Sequence, residues 1–255
     1  MRSFRVLTYN VLTRQESDGP RRRALQRDEL RRLDPDIVAL QEVVTLGDGA
    51  EAAELLDDRY TVVAHPTDSP DGVSALLATR LPCTTLAVVD LRVTERVREL
   101  PWSYAVIVRV DLPDPIGPVL VAHHKPVWCF GYERERELQA VLTTTLLDQL
   151  AADHGIPHVI ALGDFDAAPE SASARFWTGH QSLDGVSVAY QDAWEAVHPD
   201  DPGHTFTPLN PLVTAGRMPL ERGRRIDYVL VRCAVHGPTL AVERCDRALV
   251  EPACI

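Results

Sequence analysis

Continuous apolar runs and one amphipathic segment make up the first part of the chain. Residues 4–12 are rich in β-branched and aromatic side chains, which predicts a buried strand that ends near a polar Asn10. Residues 21–33 place their apolar side chains on one helical face among arginines, and a proline shortly afterwards ends this predicted helix. Residues 36–43 form a second apolar run, which is typical of a central strand and brings Glu42 to its end.

The rest of the chain repeats short strand-like runs around one long helix. This helix is predicted over residues 133–153, because the apolar positions share one face and a glycine follows the last turn. Residues 199–224 hold several prolines and glycines, which is typical of a loop. Further strands are predicted at residues 60–64, 74–79, 86–93, 104–110, 119–123, 157–164, 226–231 and 239–244. No repeat or linker divides the chain, so the sequence predicts a single domain over residues 1–255.

The composition is that of an ordinary globular domain. The 255 residues are 45% hydrophobic and 25% charged, which excludes a disordered or fibrous chain. No apolar run is long enough for a transmembrane helix and no secretory leader is evident, so a cytoplasmic protein without membrane partners is expected. The five cysteines are scattered without a C-x-x-C pair, which favours free thiols over disulfides or a zinc site. Nothing in the sequence indicates an obligate protein partner.

The charge balance bears on the class of ligand. The chain carries 26 Lys and Arg residues against 37 Asp and Glu residues, a formal net charge of -11. A field of this sign repels a long polyanion unless a basic groove or bound metal ions offset it locally. A small phosphoester therefore fits the charge better than duplex DNA does.

Three of the predicted strands have a carboxylate at one end. Glu42 follows one strand, Asp164 follows another, and Asp227 begins a third. Carboxylates beside apolar strands cost desolvation energy unless something pairs with them, and Mg²⁺ favours oxygen ligands. Asp166 lies two residues beyond Asp164, and alternate residues of an extended segment share a face. The pattern indicates metal binding or general base catalysis, and an Asx turn before a following helix is the structural alternative.

These residues occur in the order of a known set of motifs. Tyr9-Asn10, Gln41-Glu42, His124, Gly163-Asp164-Phe165-Asp166 and Arg225-Ile226-Asp227-Tyr228 resemble the motifs of the endonuclease/exonuclease/phosphatase superfamily. Its members are metal-dependent phosphoesterases with a deoxyribonuclease-like fold. The resemblance implies an α/β protein, a four-layered α/β/β/α sandwich of two packed mixed sheets with helices outside and the site at one end.

The resemblance also implies a role for each matching residue. Glu42 would hold Mg²⁺, or Mn²⁺ in its place, with Asn10 nearby on the metal or on the scissile phosphate. His124 would contact the phosphate, and Asp164 would orient or deprotonate the attacking water. Asp166 stands in the catalytic motif where the family usually has Asn. The added negative charge is unfavourable beside a phosphate unless Asp166 is protonated or bound to the metal.

Alternatives stay open at two of these positions. His123 precedes His124, and because neighbouring side chains in a strand point to opposite faces, only one of them reaches the site. His124 is favoured because it stands immediately before Lys125-Pro126 in the motif. Arg225, close to Asp227, is a candidate for substrate phosphate contact, or it neutralises nearby carboxylates.

The C-terminal part departs from the family pattern. The family's last strand carries an Asp-His pair, whose His acts in a catalytic dyad with the Asp that Asp227 matches. The closest sequence here is Cys245-Asp246-Arg247, and arginine is no general base although it stabilises negative charge. The preferred interpretation is a C-terminally shortened member, in which residues 239–247 match the penultimate strand and Glu251-Pro252 leads into the next loop.

The sequence therefore predicts a magnesium-dependent phosphoesterase. A metal held by carboxylates neutralises the phosphate and allows in-line attack of water on a phosphomonoester or phosphodiester. The expected partner is a small phosphoester or a nucleic acid, and the residues do not decide between a phosphatase and a nuclease. The alternative is a catalytically impaired or inactive family member that retains the fold and metal binding, because the family His is absent.

Overall fold

The computed structural model describes residues 3–16, 18–46, 50–216 and 218–250. The strands are β1 (Val6–Asn10), β2 (Ile37–Val44), β3 (Thr61–Ala64), β4 (Val73–Thr79), β5 (Cys83–Asp90), β6 (Tyr104–Asp111), β7 (Pro118–Lys125), β8 (His158–Asp164), β9 (Tyr190–Asp192), β10 (Asp227–Ala234) and β11 (Gly237–Pro238). The helices are α1 (Gly19–Leu33), α2 (Ala50–Leu55), α3 (Glu133–His154), α4 (Ala172–Trp177), α5 (Ala193–Val197) and α6 (Pro211–Ala215). The strands and helices predicted before residue 231 are thus present, with ends shifted by a few residues.

The strands form two mixed sheets. The smaller sheet has four strands in the order β1-β2-β4-β3, with β1 and β2 parallel and the other pairs antiparallel. The larger sheet has seven strands in the order β11-β10-β8-β7-β6-β5, and β9 pairs with β10. In this sheet β7 and β8 are parallel, whereas β10 runs antiparallel to β8.

Alternation of side chains along the strands separates the layers. In β7, Val119 and Val121 pack between the two sheets, whereas Leu120 and Ala122 belong to the cluster that includes residues of α3 and α4. The same division in β2 sends Ile37 and Ala39 between the sheets and Val38 and Leu40 toward α1 and α2. Helices therefore cover both outer faces, and the fold is the expected four-layered α/β/β/α sandwich.

The prediction of a strand over residues 239–244 is wrong. Strand β11 spans only two residues, and the Thr239 N–H makes a last contact with the Arg232 carbonyl at 2.9 Å. Residues 241–247 then run without regular structure. They are attached to a neighbouring loop instead, because the His198 ring contacts the Cys245 carbonyl at 2.7 Å. The expected loop start at Glu251-Pro252 lies outside the described residues.

Short elements inside predicted loops are the other differences. Helix α6 lies within the loop expected over residues 199–224, where Asn210 caps it by accepting the Leu212 N–H at 3.1 Å. Helices α2 and α5 and strand β9 were not predicted, since each is too short to show a hydrophobic period.

Two further features of the described residues are the hydropathy of the helices and the state of the cysteines. Across the described ranges, no helix combines the length and the hydropathy needed to cross a bilayer. Four cysteines, at positions 83, 129, 233 and 245, are free thiols, and Cys254 lies outside the described residues.

Candidate active site

Four strands bring polar side chains to one end of the space between the sheets. Asn10 is the last residue of β1, Lys125 the last of β7 and Asp164 the last of β8, whereas Asp227 is the first of β10. Because β10 is antiparallel to β8, its first residue lies beside the last residue of β8, and Asp227 pairs directly with Asp164. Glu42 joins this group from β2.

Asn10 connects the two sheets at this end. Its Nδ2 donates to Glu42 Oε1 at 2.8 Å and to Asp164 Oδ2 at 2.9 Å. Its Oδ1 accepts the Leu12 N–H at 3.0 Å. The structure thus places Asn10 in the site as predicted, but the amide oxygen that would bind a metal is directed to the backbone. In this orientation Asn10 is a donor that bridges two carboxylates.

A β-bulge directs Glu42 into the site. The register between β2 and β4 shifts between Gln41 and Val43, and Glu42 has a left-handed φ of 59°. Gln41 already faces the space between the sheets, where it lies 2.8 Å from His123, so strict alternation would send residue 42 to the helix side. The bulge overrides alternation and turns the carboxylate toward Asn10. A strained backbone at a residue of this kind is typical of functional sites.

Lys125 is a site residue that the sequence analysis missed. Its Nζ lies 2.9 Å from Asp164 Oδ2 and also forms an ion pair with Asp166 Oδ2, and the residue is 2% exposed. Burial alone would lower the pKa of this ammonium, but the carboxylates of Asp164 and Asp166 raise it above its ordinary value. The signal was present, since Lys125 is the only lysine of the chain and ends an apolar strand.

Asp164 and Asp166 are held against each other as well as against Lys125. The Asp166 N–H donates to Asp164 Oδ1 at 3.2 Å, so the Asx-type contact is made by Asp164. Asp166 itself has a left-handed φ of 51°. Burial and the nearby charge of Asp164, opposed by Lys125, together raise the pKa of the Asp166 carboxyl to about 6. Asp166 is therefore mostly ionised at neutral pH.

Asp227 is the least satisfied carboxyl of the group. Its Oδ1 is buried and has no hydrogen-bond partner among the described residues. Burial and the charge of Asp164 raise the pKa of this carboxyl well above its ordinary value, while a hydrogen bond with Thr205 opposes the shift. The structure thus brings Asp227 beside Asp164, with a carboxyl that retains its proton more readily than an ordinary aspartate.

The structure corrects the choice of His124. This ring lies on the helix side of β7, where Nδ1 is 3.1 Å from Thr143 Oγ1 and the ring packs edge-on against Phe165 and Trp177. It is directed away from Asp164, because Lys125 at the next position already faces the site. His124 is therefore a core residue between β7 and α3.

His123 lies on the face of β7 that is turned to the other sheet, the same face as Lys125. Its ring lies between the sheets, with Nε2 at 2.8 Å from Gln41 Nε2 and an edge contact to the His65 ring at 4.4 Å between centroids. His123 is fully buried and lies two residues before Lys125 on the same strand. Burial lowers the pKa of its imidazole well below the ordinary value. His123 thus supports the end of strand β2, from which Glu42 extends.

Arg225 is also placed differently from the prediction. Its guanidinium forms a buried ion pair with Asp192, donates to the Pro202 carbonyl at 3.2 Å and lies over the Tyr228 ring. These contacts fasten β10 to its neighbours, so Arg225 is used within the protein and does not face the carboxylate group. The alternative interpretation, in which it neutralises a carboxylate, is the one that the structure supports.

Arg247 does not stand in for the absent family His. Its guanidinium lies over the Trp194 ring, donates to the His204 carbonyl at 2.9 Å and is 3.7 Å from Asp201. The segment that carries it is therefore fixed to the 194–204 region, and among the described residues Arg247 forms no hydrogen bond or ion pair with Asp227.

The donor set suits a hydrated hard cation. The group holds the carboxyl groups of Glu42, Asp164, Asp166 and Asp227 and a single ammonium, that of Lys125, which pairs with Asp164 and Asp166. It therefore carries an excess of negative charge. Within the described ranges, no group of three or more His, Cys, Asp or Glu side chains is placed to hold a metal ion by itself. Mg²⁺ does not need one, because it is commonly bound through one or two carboxylates, several waters and a substrate phosphate. The unpartnered Oδ1 of Asp227 and the half-buried carboxylate of Glu42 fit such a cation.

Comparison with known proteins adds the decisive observation. The sequence profile of the Endonuclease/Exonuclease/phosphatase family matches residues 7–238. The chain belongs to this family. The match covers every residue of the candidate site, from Asn10 on β1 to Asp227 on β10. No match was found among curated protein sequences.

Solved structures share the family fold at low sequence identity. TDP2 from Caenorhabditis elegans has a TM-score of 0.69 and 16% identity, over 90% of this chain and 63% of that chain. The human Nocturnin catalytic domain with bound sulfate has a TM-score of 0.62 and 20% identity, over 90% and 81%. ANGEL2, a 2′,3′-cyclic phosphatase in complex with adenosine-2′,3′-vanadate, has a TM-score of 0.65 and 15% identity, over 90% and 84%. The family member described here thus spans less than two thirds of the C. elegans protein.

Proposed function

We propose that this family member is a Mg²⁺-dependent phosphoesterase that hydrolyses a phosphomonoester or phosphodiester by in-line attack of water. The observation that carries the proposal is the group of four carboxyl groups at one end of the sandwich, two of which pair with Lys125. Such a group repels a phosphate anion unless a further cation binds with it. When bound, Mg²⁺ supplies positive charge to the phosphate oxygens.

Asp164 is the proposed general base. Three donors approach its carboxylate, namely Asn10 and Lys125 at Oδ2 and the Asp166 N–H at Oδ1. These contacts fix the orientation of the carboxylate, which is what positioning a water requires. Asn10 ties this base to Glu42, so the base and the proposed metal ligand are held at a constant separation.

Asp227 is the proposed proton carrier of the site. Its carboxyl lies beside Asp164 and has a pKa well above the ordinary value, because it is buried next to another carboxylate. A carboxyl that retains its proton is able to donate it to a leaving oxygen. This role does not need the family His.

The substrate proposed is a small phosphoester, with single-stranded nucleic acid as the second class to test. The net charge of -11 favours a small substrate over a long polyanion. The structural neighbours justify both arms of a substrate panel, because one holds adenosine-2′,3′-vanadate and a TDP2 from D. rerio holds a single-strand DNA product.

A second candidate function is metal binding without turnover. It is favoured by Asp227, whose Oδ1 lacks a partner in the part of the chain that the structure describes, and by Arg247, whose contacts there are with the 194–204 region. In this case the fold and the cation site remain, but no phosphoester is hydrolysed.

The test is hydrolysis of a phosphomonoester, a phosphodiester and single-stranded DNA by the purified chain, with Mg²⁺ and after chelation. Asp164→Asn is the variant, and Asp148→Asn is its control, because Asp148 forms a surface ion pair with Arg232 at 2.7 Å. We expect Mg²⁺-dependent turnover that Asp164→Asn abolishes and Asp148→Asn preserves. Mg²⁺ binding without turnover of any substrate would favour the second candidate function.

A further inference from the structure

The chain uses lysine at a single position. Of its 26 Lys and Arg residues, only residue 125 is lysine, and it lies in the carboxylate group of the candidate site. Its side chain is 3% exposed, unlike those of the many arginines that form surface ion pairs. An ammonium is a compact charge with three rotatable donors, whereas a guanidinium is a wide planar fork. The position thus holds a small, buried and fully paired cation.

Lys125, Asp164 and Asp166 form a closed triangle of contacts. Lys125 Nζ pairs with Oδ2 of both aspartates, and the Asp166 N–H donates to the remaining oxygen of Asp164 at 3.2 Å. Each member therefore touches the other two. The left-handed backbone of Asp166, with φ at 51°, turns its carboxylate back toward the lysine.

These contacts bear on the negative charge that Asp166 brings to a position where the family usually has Asn. A carboxylate next to a phosphate is unfavourable, and protonation or metal binding are two ways to remove the penalty. The structure contains a third way, because the charge of Asp166 is already met by a fixed ammonium in a direct ion pair. The same ammonium holds Oδ2 of the proposed base, Asp164.

We propose that Lys125 is a positioning residue of this site and that Lys125 and Asp166 act as a matched charge pair. The ammonium fixes the Asp164 carboxylate and cancels the charge that Asp166 brings next to the substrate phosphate. The catalytic part of this inference rests on the proposed phosphoesterase function. The pairing itself, and its effect on phosphate binding, do not depend on turnover.

A set of four proteins tests the pair: wild type, Lys125→Met, Asp166→Asn and the double variant. The first measurement is the affinity for inorganic phosphate in the presence of Mg²⁺, by calorimetry. We expect Lys125→Met to weaken phosphate binding by about tenfold or more, and the added Asp166→Asn to restore most of that loss. Phosphate affinity that is unchanged in Lys125→Met, or no better in the double variant, would overturn the proposal.

The second measurement is kinetic, on a substrate that the wild type hydrolyses. Lys125→Met should lower kcat/KM by about a hundredfold, comparable to the loss of a donor that stabilises charge in a transition state. The double variant should recover at least about tenfold of this loss, whereas a purely structural lysine gives no such recovery. Thermal unfolding of all four proteins shows whether a loss comes from unfolding.

The third measurement remains informative if Lys125→Met does not fold. Labelling with ¹⁵N-lysine gives one side-chain ammonium signal, which belongs to Lys125. Its protons should exchange slowly in wild type and faster in Asp166→Asn, which keeps the lysine. An identical signal in both proteins would refute the pairing. A wild-type protein that binds phosphate but hydrolyses nothing would reject the proposed function. The phosphate-binding and ammonium-exchange measurements would still test the Lys125–Asp166 pair.

Discussion

Asn10→Ala removes an amide that joins the two sheets within the candidate site. Its Nδ2 donates to Glu42 Oε1 at 2.8 Å and to Asp164 Oδ2 at 2.9 Å. A hydrogen bond to a charged acceptor contributes about 1.5–3 kcal/mol, so the two bonds together are worth about 3 kcal/mol at the low end of that range. If this energy is used to hold the base and the metal ligand in place, kcat/KM should fall by roughly a hundredfold.

The assay is steady-state hydrolysis of the best phosphoester substrate at saturating Mg²⁺, with thermal unfolding of each protein as a check on folding. Asn210→Ala is the matched control, because Asn210 only caps helix α6 by accepting the Leu212 N–H at 3.1 Å. The control should retain its kcat/KM. A folded Asn10→Ala protein with kcat/KM within about threefold of wild type would refute the bridging role, since that change is less than 1 kcal/mol.

Further predictions concern the core and the pH dependence. His124→Gln should lower the free energy of unfolding by about 1–3 kcal/mol in urea while kcat/KM stays unchanged, because the ring bonds Thr143 within the core; lost turnover in a folded variant would restore His124 to the site. Trp177→Ala should cost about 3–5 kcal/mol in thermal unfolding, as the side chain is 1% exposed, and a loss below about 1 kcal/mol contradicts its place in the core. The pKa of Asp166, about 6, is raised above its unfolded value, so its contribution to stability is complete below about pH 4 and is lost as pH rises through about 6. Relative to wild type, Asp166→Asn should therefore become more stable between about pH 4 and pH 7 in urea unfolding, and a constant difference would contradict the shift.

Strand alternation explains both what the sequence revealed and one of its errors. The apolar runs predicted the strands, and the carboxylates at their ends predicted where Glu42, Asp164 and Asp227 meet. The same rule, that neighbouring residues face opposite sides, shows that only one of His123 and His124 reaches the space between the sheets. The rule alone does not say which side faces the helices. That depends on the packing of α3, whose Thr143 contacts His124.

Long-range pairing accounts for most of the remaining differences. Arg225 was a reasonable candidate for phosphate contact, but its partner Asp192 lies 33 residues earlier in the chain and no local pattern connects the two. Residues 239–244 have the composition of a strand, yet beyond Thr239 the chain leaves the sheet and is held by contacts such as that of Cys245 with His198. Lys125 differs from these, because its uniqueness in the sequence was visible and was not used.

Glu42 and its neighbours are proposed to form a Mg²⁺ site for phosphoester hydrolysis. The most direct measurement is the rate of hydrolysis against Mg²⁺ concentration for wild type and Glu42→Gln, with Glu29→Gln as control because Glu29 pairs with Arg32 on the surface of α1. We expect that chelation abolishes turnover and that Glu42→Gln needs at least about tenfold more Mg²⁺ for its half-maximal rate. Glu29→Gln should behave as wild type. Turnover that survives chelation, or an unchanged Mg²⁺ requirement in Glu42→Gln, would contradict the proposed Mg²⁺ site.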